Sequence, residues 1–200
     1  MCIRDRRLAS KGQLGVPNGT LVITTVGRLT EIKKHDLFLK MAQQVCSSRR
    51  DVLFFIVGDG ELREELESMA RVLGVDVAVR FLGWRQDLST IYAASDLFVL
   101  TSRNEGTPVA LIEAMASGVP GVSTDVGGVR DVITSPSVGY VVPFGDPAAL
   151  SSAVLSFLAE GATERRAMGM QARDVVSKRF TIDRLVKQIA GLYDELLDEE

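Results

Sequence analysis

Short apolar runs alternate along this chain with longer stretches whose apolar residues recur every three or four positions. Residues 21–27, 52–58, 77–83, 96–101 and 119–124 read as strands, and 139–143 as a short sixth. The 52–58 run is almost wholly apolar, the pattern of a strand covered on both faces. Helical spacing marks 36–47 and 61–73, the latter with Leu62, Leu66, Met69, Ala70 and Leu73 on one side. A short helix is expected over 88–94, and another opens at Pro108. Amphipathic helices are expected over 147–158, 163–178 and 182–197, with no strand between them. Strands alternating with helices make parallel βαβ units. The predicted fold class is therefore α/β, a Rossmann-like doubly wound parallel sheet of about six strands with helices on both faces and extra C-terminal helices.

Three segments follow. Residues 1–13 are expected to be a poorly ordered leader or the remnant of an interdomain linker, and 14–180 to be the main domain. Residues 181–200 are expected to be a C-terminal helix with a solvated Asp198-Glu199-Glu200 end.

The most informative stretch runs from Glu105 to Ala116. Two carboxylates, Glu105 and Glu113, flank a Gly106-Thr107-Pro108 turn that opens a helix. A helix start offers unpaired N–H groups and a partial positive charge, so it suits an anion. Pro108 fits the first helical turn, and Thr107 is the expected cap. Two acids beside an anion site would repel phosphate, so they read as acceptors for hydroxyl groups on a ligand carrying both phosphate and sugars. In a sheet of order 3-2-1-4-5-6, strands one and four are neighbours at the switch point, where ligands bind. Arg28 and Lys33 follow the first strand and would reach the Pro108 helix start. A guanidinium, an ammonium and a helix N-terminus together suit a diphosphate.

Composition narrows the ligand by exclusion. The chain has 200 residues and a net charge of −3, which gives no general drive towards nucleic acid. No apolar run approaches the roughly 18 residues of a membrane span, and the charged start lacks the apolar core of a secretion signal. Cys2 and Cys46 form neither a disulfide framework nor a zinc spacing, so a cytoplasmic location is expected. There is no Gly-x-x-x-x-Gly-Lys-Ser/Thr loop and no Gly-x-Gly-x-x-Gly after the first strand, which argues against a P-loop ATPase and a usual NAD enzyme. No Asp-x-Asp pair is present to hold a metal on a diphosphate.

Gly27-Arg28-Leu29-x-x-x-Lys33, Gly58-Asp59-Gly60, Phe81-Leu82-Gly83, Glu105-Gly106-x-Pro108 through Glu113-Ala114-x-Ala116-x-Gly118-x-Pro120, and Gly127-Gly128 occur in that order. The series resembles the C-terminal, donor-binding half of retaining GT-B glycosyltransferases of family four. The resemblance implies transfer of a sugar from a nucleoside diphosphate sugar, UDP- before GDP-, with no cofactor and no metal. It implies catalytic roles for Arg28, Lys33 and Glu105. Arg28 and Lys33 would hold the diphosphate, Glu105 the donor sugar and Glu113 the ribose. Backbone N–H groups of Gly106, Thr107 and Val109 beside Pro108 would complete the cradle, and Arg85 would lie by the nucleobase through its backbone. A saccharide or lipid-linked acceptor would bind a missing N-terminal half, towards which the last helix would pack, and any membrane association would run through that half. The rival readings are a non-catalytic nucleotide-sugar-binding module and a sugar-nucleotide epimerase of the same plan.

Plainer readings stand beside these. His35 reads as a helix-start or surface residue, Lys34 as a solvated charge, and Trp84 as packing rather than a stacking platform. Asp59 reads as a cap for the next helix. Gly127-Gly128 reads equally as a plain turn or as a nest near the donor. Lys34 stands where the family commonly has Gly, which puts a tight turn in doubt. Gly121 stands in place of Val and should loosen the fifth strand.

Overall fold

The computed structural model describes residues 3–198; Met1, Cys2 and Glu199-Glu200 lie outside it, and with them the expectations for Cys2 and for the end of the tail. Six strands, β1 (Leu21–Val26), β2 (Val52–Val57), β3 (Val79–Gly83), β4 (Leu97–Leu100), β5 (Gly121–Thr124) and β6 (Gly139–Val142), form one sheet. All pairings are parallel, and the order is β3-β2-β1-β4-β5-β6. The doubly wound reading and its switch point between β1 and β4 are thus present, with Ile23 opposite Leu97 and Thr24 opposite Phe98.

The alternation of side chains along each strand divides the core between the two faces. Ile23, Phe54, Ile56, Leu97, Val99 and Val122 pack with α2 (His35–Ser48), α3 (Arg63–Val72) and α7 (Pro147–Ala159). Phe38 of α2 meets Phe54 edge-on, with ring centroids 6.0 Å apart. On the opposite face Val22, Phe55 and Val57 form one cluster with Ile91 of α4 (Leu88–Ala94). Phe98 and Leu100 form another with α5 (Val109–Ala116), α6 (Val129–Val132) and α8 (Ala162–Arg179). Asp146 caps α7 by accepting the Ala149 N–H at 2.9 Å, and Pro147 opens that helix.

Of the two expectations for the leader, poor order does not hold for residues 3–13. Ile3–Gln13 is a helix, α1, and it packs on α4. Its anchor is Asp96, a buried carboxylate just before β4. Lys11 Nζ donates to Asp96 Oδ2 at 2.6 Å, Arg7 Nη1 to Oδ1 at 3.0 Å, and the Val22 N–H to Oδ2 at 2.9 Å. Lys11 also donates to the Thr20 carbonyl, so the charge is paired and hydrogen-bonded as a buried carboxylate requires. The partner lies more than eighty residues away in sequence, which is why the charged run at 3–13 gave no sign of it.

Gly121 does not loosen β5, which pairs in register with β4 and β6. A Cβ there would come within 2.4 Å of Leu111 Cδ1, so the missing side chain makes room for a core residue of α5. The last helix, α9 (Ile182–Asp198), lies outside both layers, with Ile182, Leu185, Val186, Ile189, Leu192 and Leu196 all exposed.

His35 opens α2 as expected but is buried, not on the surface. Its Nδ1 has no hydrogen-bond partner among the described residues. Burial, helped by the Lys33 charge, lowers its pKa to about 4. Between pH 6.5 and 4 the unfolded chain takes up this proton and the folded chain does not. The stabilising contribution is therefore complete above pH 6.5 and is lost as pH falls towards 4. A displacement of that size corresponds to roughly 3 kcal/mol. In urea titrations across this window, His35→Leu is expected to flatten the loss of stability by about that amount.

Candidate functional site

The site begins with how the chain leaves β1 and β4, whose C-terminal ends lie side by side. After β1, Gly27 and Arg28 lead to a 3-10 turn, Glu31–Lys33, and Lys34 then adopts left-handed backbone (φ 51, ψ 45) before α2 starts. This is the position where a tight turn was in doubt. The turn forms, with Lys34 as the one non-glycine residue at positive φ among the described residues. Its ammonium is tied to Glu31.

The loop after β4 is laced onto this turn. The Thr101 hydroxyl donates to the Lys33 carbonyl at 2.9 Å, and the Arg103 N–H donates to the Ile32 carbonyl at 2.8 Å. Lys33 Nζ then meets Glu105 Oε1 at 2.7 Å, and Ser102 Oγ donates to the same oxygen at 2.6 Å. Glu105 is largely buried, with 10% of its side chain exposed against 28% for Lys33. Low exposure strengthens this pair relative to a surface one.

Two glycine pairs support the loops from the outer strands. Gly58 (φ 135) lies so close to the first loop that a Cβ would sit 2.0 Å from the Gly27 carbonyl oxygen. The Asp59 carbonyl accepts the Leu29 N–H at 3.0 Å. Asp59 does not cap α3: Leu62 takes that position, while the Asp59 carboxylate accepts from the Gly60 N–H and from Arg63. On the other side Gly127 (φ 49) would place a Cβ 1.6 Å from the Glu105 carbonyl oxygen, and the Gly128 N–H donates to the Gly106 carbonyl at 3.2 Å. Gly127-Gly128 is therefore a close-approach support for the Glu105 loop.

Lys33, Glu105, Thr107, Pro108, Val109 and Glu113 line one cleft of about 340 Å3, floored by Gly27 and Leu100. Arg28 is not in that lining. It is exposed, follows Gly27 directly and has no side-chain hydrogen bond or ion pair among the described residues. Glu113 is exposed on α5 and accepts a hydrogen bond from the Tyr92 hydroxyl at 2.9 Å. Arg85 sits apart, on the loop after β3, with its guanidinium forked onto Asp87 at 2.7 Å through both nitrogens. Trp84 beside it is 69% exposed, so it is not the packing residue expected.

The helix start differs in detail from expectation. Pro108, not Thr107, occupies the N-cap position, and no side chain caps α5. The Val109 N–H is bonded to the Thr107 carbonyl at 2.9 Å and is not free for a ligand in this conformation. The N–H groups of Gly106 and Thr107 make no backbone hydrogen bond among the described residues. Sequence reasoning missed Thr101, Ser102 and Tyr92. Thr101 and Tyr92 act on residues from other segments, while Ser102 lies three residues before Glu105 in the same loop, where a lone serine carries no spacing signal. No cluster of three or more His, Cys, Asp or Glu suited to a metal occurs among the described residues.

A doubly wound sheet with a cleft at its switch point that carries charged side chains defines a Rossmann-like domain of the ligand-binding kind. Residues 7–175 match the family described as Glycosyl transferases group 1, and the chain belongs to that family. It is 32% identical over 197 residues to a D-inositol 3-phosphate glycosyltransferase of Corynebacterium kroppenstedtii, covering 94% of this chain and 43% of that protein. The chain spans about half the length of the curated relatives it matches. Among solved structures, Anabaena HepE in complex with UDP superposes with a TM-score of 0.88 at 24% identity, over 96% of this chain and 53% of that one. The C-terminal domain of a glycosyl transferase group 1 family protein (LpcC) from Francisella tularensis gives a TM-score of 0.80 at 22% identity, over 88% of this chain and 93% of that one. These two likenesses are of fold.

The glycine support is open to a direct test. Gly127→Ala combines a left-handed backbone with a clash against a carbonyl. Gly74→Ala has the first problem alone, since nothing lies within 4 Å of its Cβ direction. Urea denaturation should show a loss of about 1–2 kcal/mol for Gly74→Ala, the ordinary penalty of left-handed backbone, and a clearly larger loss for Gly127→Ala.

Proposed function

We propose that this chain is the donor-binding half of a retaining glycosyltransferase that moves a sugar from a nucleoside diphosphate sugar to a saccharide or lipid-linked acceptor. The observation that carries the reading is the convergence of Lys33, Glu105, Glu113 and the start of α5 on one cleft at the β1/β4 switch point. Each group has separate work there. Lys33, with the exposed Arg28 one short turn before it, would receive the diphosphate. Glu105 would accept hydroxyls of the donor sugar, and Glu113 those of the ribose. The free N–H groups of Gly106 and Thr107 would add neutral donors. Pro108 and Val109 would form the wall behind them, and the Arg85 backbone would border the nucleobase.

The chemistry follows from where charge develops. Breaking the bond between the anomeric carbon and the diphosphate oxygen leaves the electron pair, and so the negative charge, on the diphosphate. Lys33, already at the cleft, and Arg28, once turned onto the diphosphate, would favour that state over the ground state and lower the barrier. Lys33 is neutralised by Glu105 until a donor arrives, so the diphosphate must offset that pair. In this reading no metal and no cofactor is required, because Arg28, Lys33 and the backbone donors supply the positive charge. UDP is the preferred nucleotide.

The acceptor side belongs to a second domain beyond this chain, as the half-length coverage of relatives supports. The exposed apolar stripe of α9 is the surface that would pack towards it. No helix of the described residues is long and apolar enough to cross a membrane. We place the enzyme in the cytoplasm, where nucleotide sugars are the available donors.

Calorimetry tests the binding half of the reading with this chain as it stands. UDP should bind more tightly than GDP, and Arg28→Ala and Lys33→Ala should each weaken UDP without unfolding the domain. In the complete enzyme each should lower turnover by about 10²- to 10³-fold, the range for loss of one preorganised charge-stabilising group. Unchanged turnover in both variants refutes the assignment.

A further inference from the structure

We propose that Tyr92 is a positioning residue that aims Glu113 and thereby sets discrimination for the ribose hydroxyls of the donor nucleotide. The inference rests on the reading of Glu113 as the ribose acceptor, and it concerns a residue on a different element. Tyr92 lies in α4, is 3% exposed, and reaches its hydroxyl to Glu113 Oε2 at 2.9 Å. The ring is held on the sheet by Phe98 of β4, with centroids 6.2 Å apart at an interplanar angle of 64°. A buried ring pinned at one end by the core and at the other by a hydrogen bond has little freedom. It therefore transmits the position of β4 to the carboxylate.

The direction of the hydrogen bond matters. A phenol can donate or accept, but an ionised carboxylate only accepts. Burial first, and the Glu113 carboxylate second, push the Tyr92 pKa well above its ordinary value. The phenol keeps its proton and acts as a fixed donor. It occupies Oε2 of Glu113 and leaves Oε1 without a hydrogen-bond partner among the described residues, on a residue that lines the cleft. An exposed glutamate on a helix would otherwise sample several rotamers and lose entropy on meeting a ribose. With one oxygen already tethered, much of that loss is settled before the ligand binds.

The consequence is specific to the sugar hydroxyls. Titrations of this chain with UDP, 2′-deoxy-UDP and inorganic pyrophosphate test it in wild type, Tyr92→Phe and Glu113→Ala. Wild type should favour UDP over 2′-deoxy-UDP by about tenfold, the worth of one charge-assisted hydrogen bond. Tyr92→Phe should reduce that ratio to within two- or threefold and leave pyrophosphate affinity unchanged. Tyr92→Gln restores a donor and should recover part of the ratio; should the Phe variant prove unstable, Tyr92→Met, which also lacks the hydroxyl, takes its place with the same expected loss of the ratio. In the complete enzyme the Phe substitution should raise KM for the donor more than it lowers kcat. A lower melting temperature with an undiminished UDP preference would make Tyr92 a packing residue and overturn the inference. If Glu113→Ala abolishes the preference while Tyr92→Phe keeps it, the positioning role alone fails. If Glu113→Ala also keeps it, the ribose role of Glu113 fails and takes this inference with it.

Discussion

The cleft depends on the lacing of two loops that share no sequence. The order of strands makes β1 and β4 neighbours, but adjacency alone would leave two mobile connections side by side. The Thr101 hydroxyl on the Lys33 carbonyl and the Arg103 N–H on the Ile32 carbonyl join them through the backbone. The Lys33–Glu105 pair then joins them through charge. The backbone links hold Lys33 at a fixed distance from α5 with or without its ion pair. Under the proposed function, the charge link is the one a diphosphate would replace. A site organised in this way can exchange its internal anion for a ligand without moving its frame, which keeps reorganisation costs low.

The glycine pairs explain how that frame is kept rigid from outside. Gly58-Asp59-Gly60 follows β2 and presses on the β1 loop; Gly127-Gly128 follows β5 and presses on the β4 loop. Each inner loop thus has an outer neighbour at backbone contact, where any side chain would intrude. The arrangement resembles itself on the two sides of the switch point, although the glycine motifs differ. It accounts for residues whose identity says little alone: a Gly-x-Gly fragment and a Gly-Gly pair are weak signals until their opposite carbonyls are known.

Much of the fold was legible because it rests on local periodicity. The near-continuous apolar run in β2 and the alternation of strands with helices were enough for the doubly wound sheet. The strand order also set Lys33 beside the Pro108 helix, whereas Arg28, expected there too, lies outside the lining of the cleft. What escaped was non-local. The anchor of α1 is Asp96, far along the chain. The burial of His35 depends on how α2 lies on the sheet. The harmlessness of Gly121 depends on Leu111 filling the space above it. Local chemistry also misled at the start of α5, where Thr107 looked like a cap. There the chain makes its turn with Pro108 instead and spends the Val109 N–H on the Thr107 carbonyl.

Two glutamates with seven residues between them acquire different characters from these surroundings. Glu105 is nearly enclosed and shares one oxygen between an ammonium and a serine hydroxyl. Glu113 is exposed and meets only a neutral phenol. A carboxylate paired with a cation is poised to respond when that cation finds a better partner, so Glu105 is coupled to whatever anion enters. A carboxylate paired with a neutral donor has no cation to give up to an entering phosphate. Under the proposed function Glu113 would therefore accept hydroxyl groups steadily, while the environment of Glu105 would change as a diphosphate arrives and leaves. The spacing along one loop and one helix brings both acids to the same cleft; the partners from the 3-10 turn and α4 give them different surroundings.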